Sequence, residues 1–134
     1  MNVRLAVLGE TIMKTLIVID DDALIRDTVS MMLERGGYKA LCAASSEEGL
    51  AMMASNQVSL ALVDVVLPDR NGLELAFELN QKWPAVPIVL MSGRVSTEAD
   101  SIKNFNGHFG IKGSIPKPFT MEQLLEAVEA ALGE

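Results

Sequence analysis

Leu16-Ile17-Val18-Ile19-Asp20-Asp21-Asp22 is the stretch on which the fold turns: four apolar residues without polar alternation run straight into three carboxylates. A strand this apolar is buried on both faces, as in a parallel sheet covered by helices. The pattern recurs at Leu60-Ala61-Leu62-Val63, which ends on a lone Asp64. Ligands of such sheets bind outside the carboxyl ends of the strands, so Asp20, Asp21 and Asp64 are expected to converge at one rim. Crowded carboxylates repel one another, and either their pKa values rise or a cation neutralises them. A hard divalent cation held by oxygen ligands, magnesium before others, is the economical solution. Asp22 reads as the N-cap of the helix that follows.

Outward from these two strands, strand and helix alternate five times. Strand one covers Thr15 to Ile19, and helix one runs from about Ala23 to Arg35 until Gly36-Gly37 stops it. Strand two covers Tyr38 to about Ala43. Helix two opens at Ser45, with Glu48 completing a capping box. Strand three is Val58 to Val63, and helix three starts at Asn71 with Glu74, its buried side lined by Leu75, Leu79 and Trp83. Strand four is Ile88 to Met91, followed by a weaker helix from about Ser96 to Phe105 and a mobile Gly- and Asn-rich stretch, Asn106 to Gly110. Strand five is Ser114 to Pro116, placed at a sheet edge because proline cannot donate to a ladder. Thr120 and Gln123 cap the last helix. The expected fold class is α/β, a doubly wound flavodoxin-like (βα)5 arrangement with a five-stranded parallel sheet in the order 2-1-3-4-5.

With 134 residues, 49% of them hydrophobic, the chain makes one domain with a proper core. A net charge of −7 and a pI near 4.7 give no basic footprint, so no direct nucleic-acid contact is expected. Leu5 to Leu8 is too short for a secretory segment, and no run approaches membrane-spanning length. The lone Cys42 reads as a core thiol, and the expected location is the cytoplasm. Residues 1–14 form an extension compatible with a frayed, disordered segment, an upstream translation start or an extra strand.

Two further groups fall at strand ends on the same rim, Ser92 after strand four and Lys117 after strand five. Singly, each has a bland reading as a turn cap or a solvated lysine. Jointly they suit a dianionic group formed beside the carboxylates: lysine and metal neutralise it, and the hydroxyl donates to one of its oxygens. A carboxylate is itself a competent nucleophile in phosphoryl transfer, and Asp64, alone on its strand, is the candidate. His108 reads as a solvated loop residue and the methionines as packing.

These residues give the chain a resemblance to the receiver domain of two-component response regulators. Ile19-Asp20-Asp21-Asp22, Leu62-Val63-Asp64-Val65-Val66-Leu67-Pro68-Asp69-Arg70-Asn71-Gly72, Met91-Ser92-Gly93 and Lys117-Pro118-Phe119 carry it. It covers about Thr15 to Leu132, with residues 15–134 as the receiver domain. The resemblance implies a phosphorylation-dependent switch in a phosphorelay, in which a histidine kinase or phosphotransfer protein donates a phosphoryl group to Asp64. It implies Mg2+ held by Asp21, Asp64 and the backbone carbonyl of Val66, with Asp20 acting through water. Ser92 and Gly93 would hold the phosphoryl oxygens and Lys117 would pair with them, a cis bond to Pro118 being compatible with the small trans preference of X-Pro bonds. Arg94, Ser114 and Pro118 would belong to the conformational switch. The partner downstream would be an output protein or domain, and the chain would be no enzyme beyond assisting its own phosphorylation and dephosphorylation. It would be either a stand-alone receiver or a piece of a larger regulator or hybrid kinase.

One position departs from the family pattern. Ser114 stands three residues before the lysine, where an aromatic ring commonly follows the hydroxyl residue, and Phe109 is not equivalent. The response is therefore expected mainly between Gly93 and Phe105, with the partner surface on that helix and strand five. Three other readings compete. A haloacid-dehalogenase-type phosphatase fits Asp20-x-Asp22, but Leu24 replaces the expected Thr or Val and no acidic pair follows downstream. A phosphorylation-independent receiver-like adaptor would not need the intact acidic pair, Asp64, Ser92 and Lys117. A flavodoxin would need a phosphate loop rich in Gly, Ser and Thr after strand one.

Overall fold

Runs that are apolar at every position cannot leave either face in water. In the computed structural model of the chain, which describes residues 6–7, 10–11, 13–93 and 107–134, they form the middle of a parallel sheet with helices on both sides. The elements are β1 (Thr15–Ile19), α1 (Ala23–Arg35), β2 (Lys39–Ala43), α2 (Ser46–Ser55), β3 (Leu60–Asp64), α3 (Gly72–Lys82), β4 (Ile88–Ser92), β5 (Ile111–Pro116) and α4 (Met121–Leu132). The five strands lie in the order β2-β1-β3-β4-β5, the doubly wound order expected, with β5 at an edge. Ala6–Val7 and Glu10–Thr11 pair antiparallel as a separate small sheet. The expectations for Arg94, for the helix from Ser96 to Phe105 and for Asn106 lie outside the described residues.

Alternate residues of each central strand feed two cores. Ile17, Ile19, Ala61, Val63, Ile88 and Leu90 pack with Met53 of α2 and Leu75 and Leu79 of α3. Leu16, Val18, Leu60, Leu62, Val89 and Met91 pack on the other face with Val29 and Leu33 of α1 and Leu124 and Val128 of α4. Full burial of one such side chain stabilises by about 1.5–3 kcal/mol, so these strands supply the stability against which a crowded acidic rim is maintained. Cys42 is half-buried against the second core, with its Sγ 2.8 Å from Ser30 Oγ.

Local caps fix where each helix begins. Asp22 accepts from Leu24 N at 2.9 Å and Ile25 N at 3.3 Å, the capping role its position suggested. Thr120 and Gln123 close the reciprocal box expected of them. At α2, Ser45 takes the Glu48 amide at 3.2 Å, and at α3, Asn71 takes the Leu73 amide at 2.7 Å. After α1, Gly37 supplies the positive φ of 92° that lets the chain turn into β2.

Several boundaries differ from the sequence reading, β3 running Leu60–Asp64 instead of Val58 to Val63 and β4 reaching Ser92 instead of ending at Met91. β5 starts at Ile111 instead of Ser114: Ile111 is fully buried opposite Ile88, and the register then slips so that Val89 faces Gly113 and Lys112 stays exposed. Lysine and glycine inside that irregularity mask the strand pattern. The glycine-rich stretch before it is a hydrogen-bonded turn over residues 107–110, with Gly107 N donating to Ile111 O at 2.6 Å and Ile111 N to His108 O at 2.9 Å.

Candidate functional site

The topology carries the chemistry to one place. β1 and β3 are neighbours in register from Leu16 opposite Leu60 to Ile19 opposite Val63, so Asp20 and Asp64 leave the sheet side by side. Oxygens of Asp20, Asp21 and Asp64 lie within 4.8 Å of one another, with Asp20 and Asp64 buried and Asp21 exposed on the open side. Lys117, just past β5, reaches across the rim: its Nζ donates to Asp20 Oδ2 at 2.6 Å and to Asp64 Oδ2 at 3.0 Å. The second oxygen of each carboxylate is also engaged. Asp22 N donates to Asp20 Oδ1 at 2.9 Å, and Val66 N donates to Asp64 Oδ1 at 3.1 Å.

Backbone contacts hold these groups in place. Arg26 Nη1 donates to the Asp20 carbonyl at 2.9 Å, Val65 N continues the β3–β4 ladder to Met91 O at 3.0 Å, and Lys117 N donates to Ser92 O at 2.7 Å. Ser92 is buried at the end of β4, with Pro116 as its register partner. The Lys117–Pro118 peptide bond is cis. Gly93 is half-buried beside the site, and Ser114 is half-buried opposite Leu90 in the β4–β5 pairing. Arg94 lies outside the described residues.

Gly72 lets the loop after Asp64 close. A Cβ there would lie 2.0 Å from the Asp64 carbonyl oxygen and 2.7 Å from Val65 Cα, so the first turn of α3 rests directly on the backbone of the aspartate. Its amide donates to Val65 O at 2.8 Å.

Burial pushes the Asp64 carboxyl above its ordinary pKa, and the charge of Asp20 adds to this. The Val66 amide and Lys117 pull the other way without cancelling it. Burial works against the Lys117 ammonium, yet its hydrogen bonds to Asp20 and Asp64, with their charges, leave its pKa above the ordinary value. The lysine is therefore a fixed positive charge at neutral pH. Three carboxylates against one ammonium leave two negative charges at the rim, the deficit that one divalent cation neutralises. An all-oxygen donor set with one exposed, accessible carboxylate suits magnesium, which keeps part of its water shell.

The sequence did not point to three of the contacts that build this rim. Arg26 braces the Asp20 carbonyl from α1. Asp69 binds the start of α2, accepting from Ser46 N, Ser46 Oγ and Glu47 N. Arg70 pairs with Glu78 of α3 at 2.5 Å, which Lys82 also contacts at 2.8 Å. Only the Glu78–Lys82 spacing, four apart on one helix, is visible without the fold.

Among the described residues no helix is long and apolar enough to cross a membrane. A CheY-like receiver domain protein from Methanospirillum hungatei JF-1 superposes with a TM-score of 0.80 at 32% identity, over 90% of this chain and 94% of that one. Response regulator protein TrrA from Thermotoga maritima, solved in complex with Mg2+–BeF, gives a TM-score of 0.78 at 27% identity, over 89% of this chain and 99% of that one. Response regulator MprA of Mycobacterium sp. (strain KMS) is 29% identical over 117 residues, 87% of this chain and 50% of the relative. The chain thus spans about half the length of the curated relatives it matches. Residues 16–129 match the response regulator receiver domain, and the chain belongs to that family.

Proposed function

We propose that this chain is a phosphorylation-dependent switch of a two-component phosphorelay, with Asp64 as the phosphoacceptor. The observation that carries the reading is Lys117 Nζ bridging Asp20 and Asp64 at 2.6 and 3.0 Å, where three strand ends meet. The donor is a phosphohistidine of a histidine kinase or phosphotransfer protein. An Asp64 carboxylate oxygen forms a bond to phosphorus as the phosphorus–imidazole bond breaks, and the departing imidazole takes its proton from solvent.

Asp21, Asp64 and the carbonyl of Val66 would hold Mg2+, with Asp20 acting through water. The cation supplies charge neutralisation to the phosphoryl oxygens. Lys117 gives the remaining positive charge: once Asp64 is esterified, the ammonium pairs with the phosphoryl group it faces. Ser92 and Gly93 sit at the end of β4 to receive a phosphoryl oxygen, and Arg94, Ser114 and Pro118 form the region that changes with it. Ser114 carries no ring, so the response cannot run through an aromatic rotation there. The chain catalyses nothing beyond its own phosphorylation and dephosphorylation, acts in the cytoplasm, uses residues 15–134 as the receiver unit, and hands its state to an output protein or domain.

The test is intact mass after treatment with acetyl phosphate and magnesium. The wild-type chain should gain one phosphoryl group and Asp64→Asn none. Single-site labelling that persists in Asp64→Asn overturns the assignment.

A further inference from the structure

The loop from Val65 to Asn71 leaves β3 at Asp64 and is closed at its base, where Gly72 N donates to Val65 O at 2.8 Å and Val66 bridges Asn71. Its tip is anchored elsewhere. The Asp69 carboxylate accepts from Ser46 N at 3.1 Å, Ser46 Oγ at 2.5 Å and Glu47 N at 3.1 Å. Those amides are the first two of α2, orphan donors of a helix start, and the contact spans 23 positions of sequence.

A cap alone accounts for only part of this arrangement. Ser45 already serves the start of α2 through the Glu48 amide, and Glu47 is exposed, so water can reach the Glu47 amide; the buried Ser46 alone needs a protein partner. What Asp69 adds is a tie between α2 and the loop that carries Val66, whose own amide holds Asp64 Oδ1 at 3.1 Å. Buried Leu67 and the Arg70–Glu78 ion pair restrain the same few residues from the core and from α3.

We propose that Asp69 is a positioning residue for the phosphoryl site: latched to α2, it fixes Val66 against Asp64 and thereby sets both the affinity for the divalent cation and the lifetime of the phosphoryl group. The proposal rests on the reading of Asp64 as phosphoacceptor. The latch keeps its charge throughout the physiological range, because the Ser46 hydroxyl and amide hold the Asp69 carboxyl at a pKa of about 2. Decay of the phosphoryl group is hydrolysis, with water attacking phosphorus and inorganic phosphate leaving as the Asp64 carboxylate is restored. A looser Val66 weakens control over both the cation and the carboxylate that departs.

The experiment compares wild type, Asp69→Ala, Ser46→Ala, Asp69→Asn and Thr120→Ala at a temperature where circular dichroism shows each folded. Magnesium affinity is read from amide chemical shifts during titration with magnesium chloride, and phosphoryl lifetime from intact mass after acetyl phosphate is removed. Asp69→Ala should weaken magnesium binding about tenfold, the lower end of what losing an outer-shell support costs, and shift the phosphoryl half-life in parallel. Ser46→Ala should move both in the same direction by less, and Asp69→Asn, which keeps an acceptor oxygen, should recover most of the loss. Thr120→Ala removes the reciprocal cap of α4, which packs on the opposite face of the sheet from α2 and α3, and should lower the melting temperature alone. If Asp69→Ala lowers the melting temperature as Thr120→Ala does but matches wild type in affinity and half-life, Asp69 is only a cap and the latch is overturned. A wild-type chain that neither binds magnesium nor takes a phosphoryl group overturns the phosphoacceptor reading and the latch with it, a result visible before any variant is made.

Discussion

Gly72→Ala isolates the contact between α3 and the phosphoacceptor strand. The added Cβ would stand 2.0 Å from the Asp64 carbonyl oxygen, 2.7 Å from Val65 Cα and 2.9 Å from the Asp64 carbonyl carbon. All three are backbone atoms, so no side chain can swing aside, and the first turn of α3 must lift by about an ångström or more to regain ordinary contact. Alanine is the better helix former by about 0.5–1 kcal/mol. Overpacking a rigid site costs about 1–3 kcal/mol and occasionally more, and a clash with backbone alone belongs at the upper end, so the steric term wins. The net loss of about 2–3 kcal/mol corresponds to a fall in melting temperature on the order of 10 °C for a domain of this size. Lifting α3 also strains the Gly72–Val65 hydrogen bond and moves Asp64, and an ångström at a reacting atom can cost about a hundredfold in rate. Thermal melts and acetyl phosphate labelling below the melting range measure the two effects. Gly113→Ala is the control, because nothing lies within 4 Å of a Cβ there. A Gly72→Ala chain that melts and labels like Gly113→Ala would refute the reasoning.

Lys117→Ala leaves Asp20 and Asp64 facing each other without their shared cation, and removing one partner of a buried pair costs about 3 kcal/mol or more; in chelator the variant should melt well below wild type, with magnesium closing much of the gap, and equal melting in chelator would count against the bridge. Asp64 has a folded pKa above its unfolded value, so its ionisation works against folding, a penalty that grows as the pH rises through the unfolded value and is complete above the folded one. At pH 7 in chelator, Asp64→Asn should therefore melt a few degrees above wild type, and a clear loss of stability would show the carboxylate to be favourable where it sits. Asp69 has the opposite sign: held at about 2 against an ordinary 3.8, its ionised form favours the fold above about pH 4, and that contribution fades as the pH falls through about 2. The melting difference between wild type and Asp69→Asn should accordingly be full at neutral pH and shrink on acidification, and a difference constant from pH 7 to pH 2 would contradict the assignment.

The strand order and the acidic rim were legible because strands buried on both faces write their burial as unbroken apolar runs, and Asp20 and Asp64 stand where those runs end. Lys117 was legible because Pro116 and Pro118 mark the end of an edge strand around it. The start of β5 was not, since Lys112 falls in a register irregularity and Gly113 carries no side chain to alternate. Asp69 and Arg26 escaped notice because their partners, the α2 amides and the Asp20 carbonyl, are backbone groups that leave no residue-type signature. Gly72 could be read as part of a motif, but its reason, an approach to Asp64 too close for any Cβ, exists only in three dimensions.

The most direct measurement locates the phosphoryl linkage itself. After acetyl phosphate treatment with magnesium, borohydride reduces an aspartyl phosphate to homoserine, and tandem mass spectrometry of the peptides reads its position. Homoserine at position 64 and at no other aspartate is the expected result. Homoserine at position 20 or 21, or none in a chain that has gained phosphoryl mass, would contradict Asp64 as the acceptor.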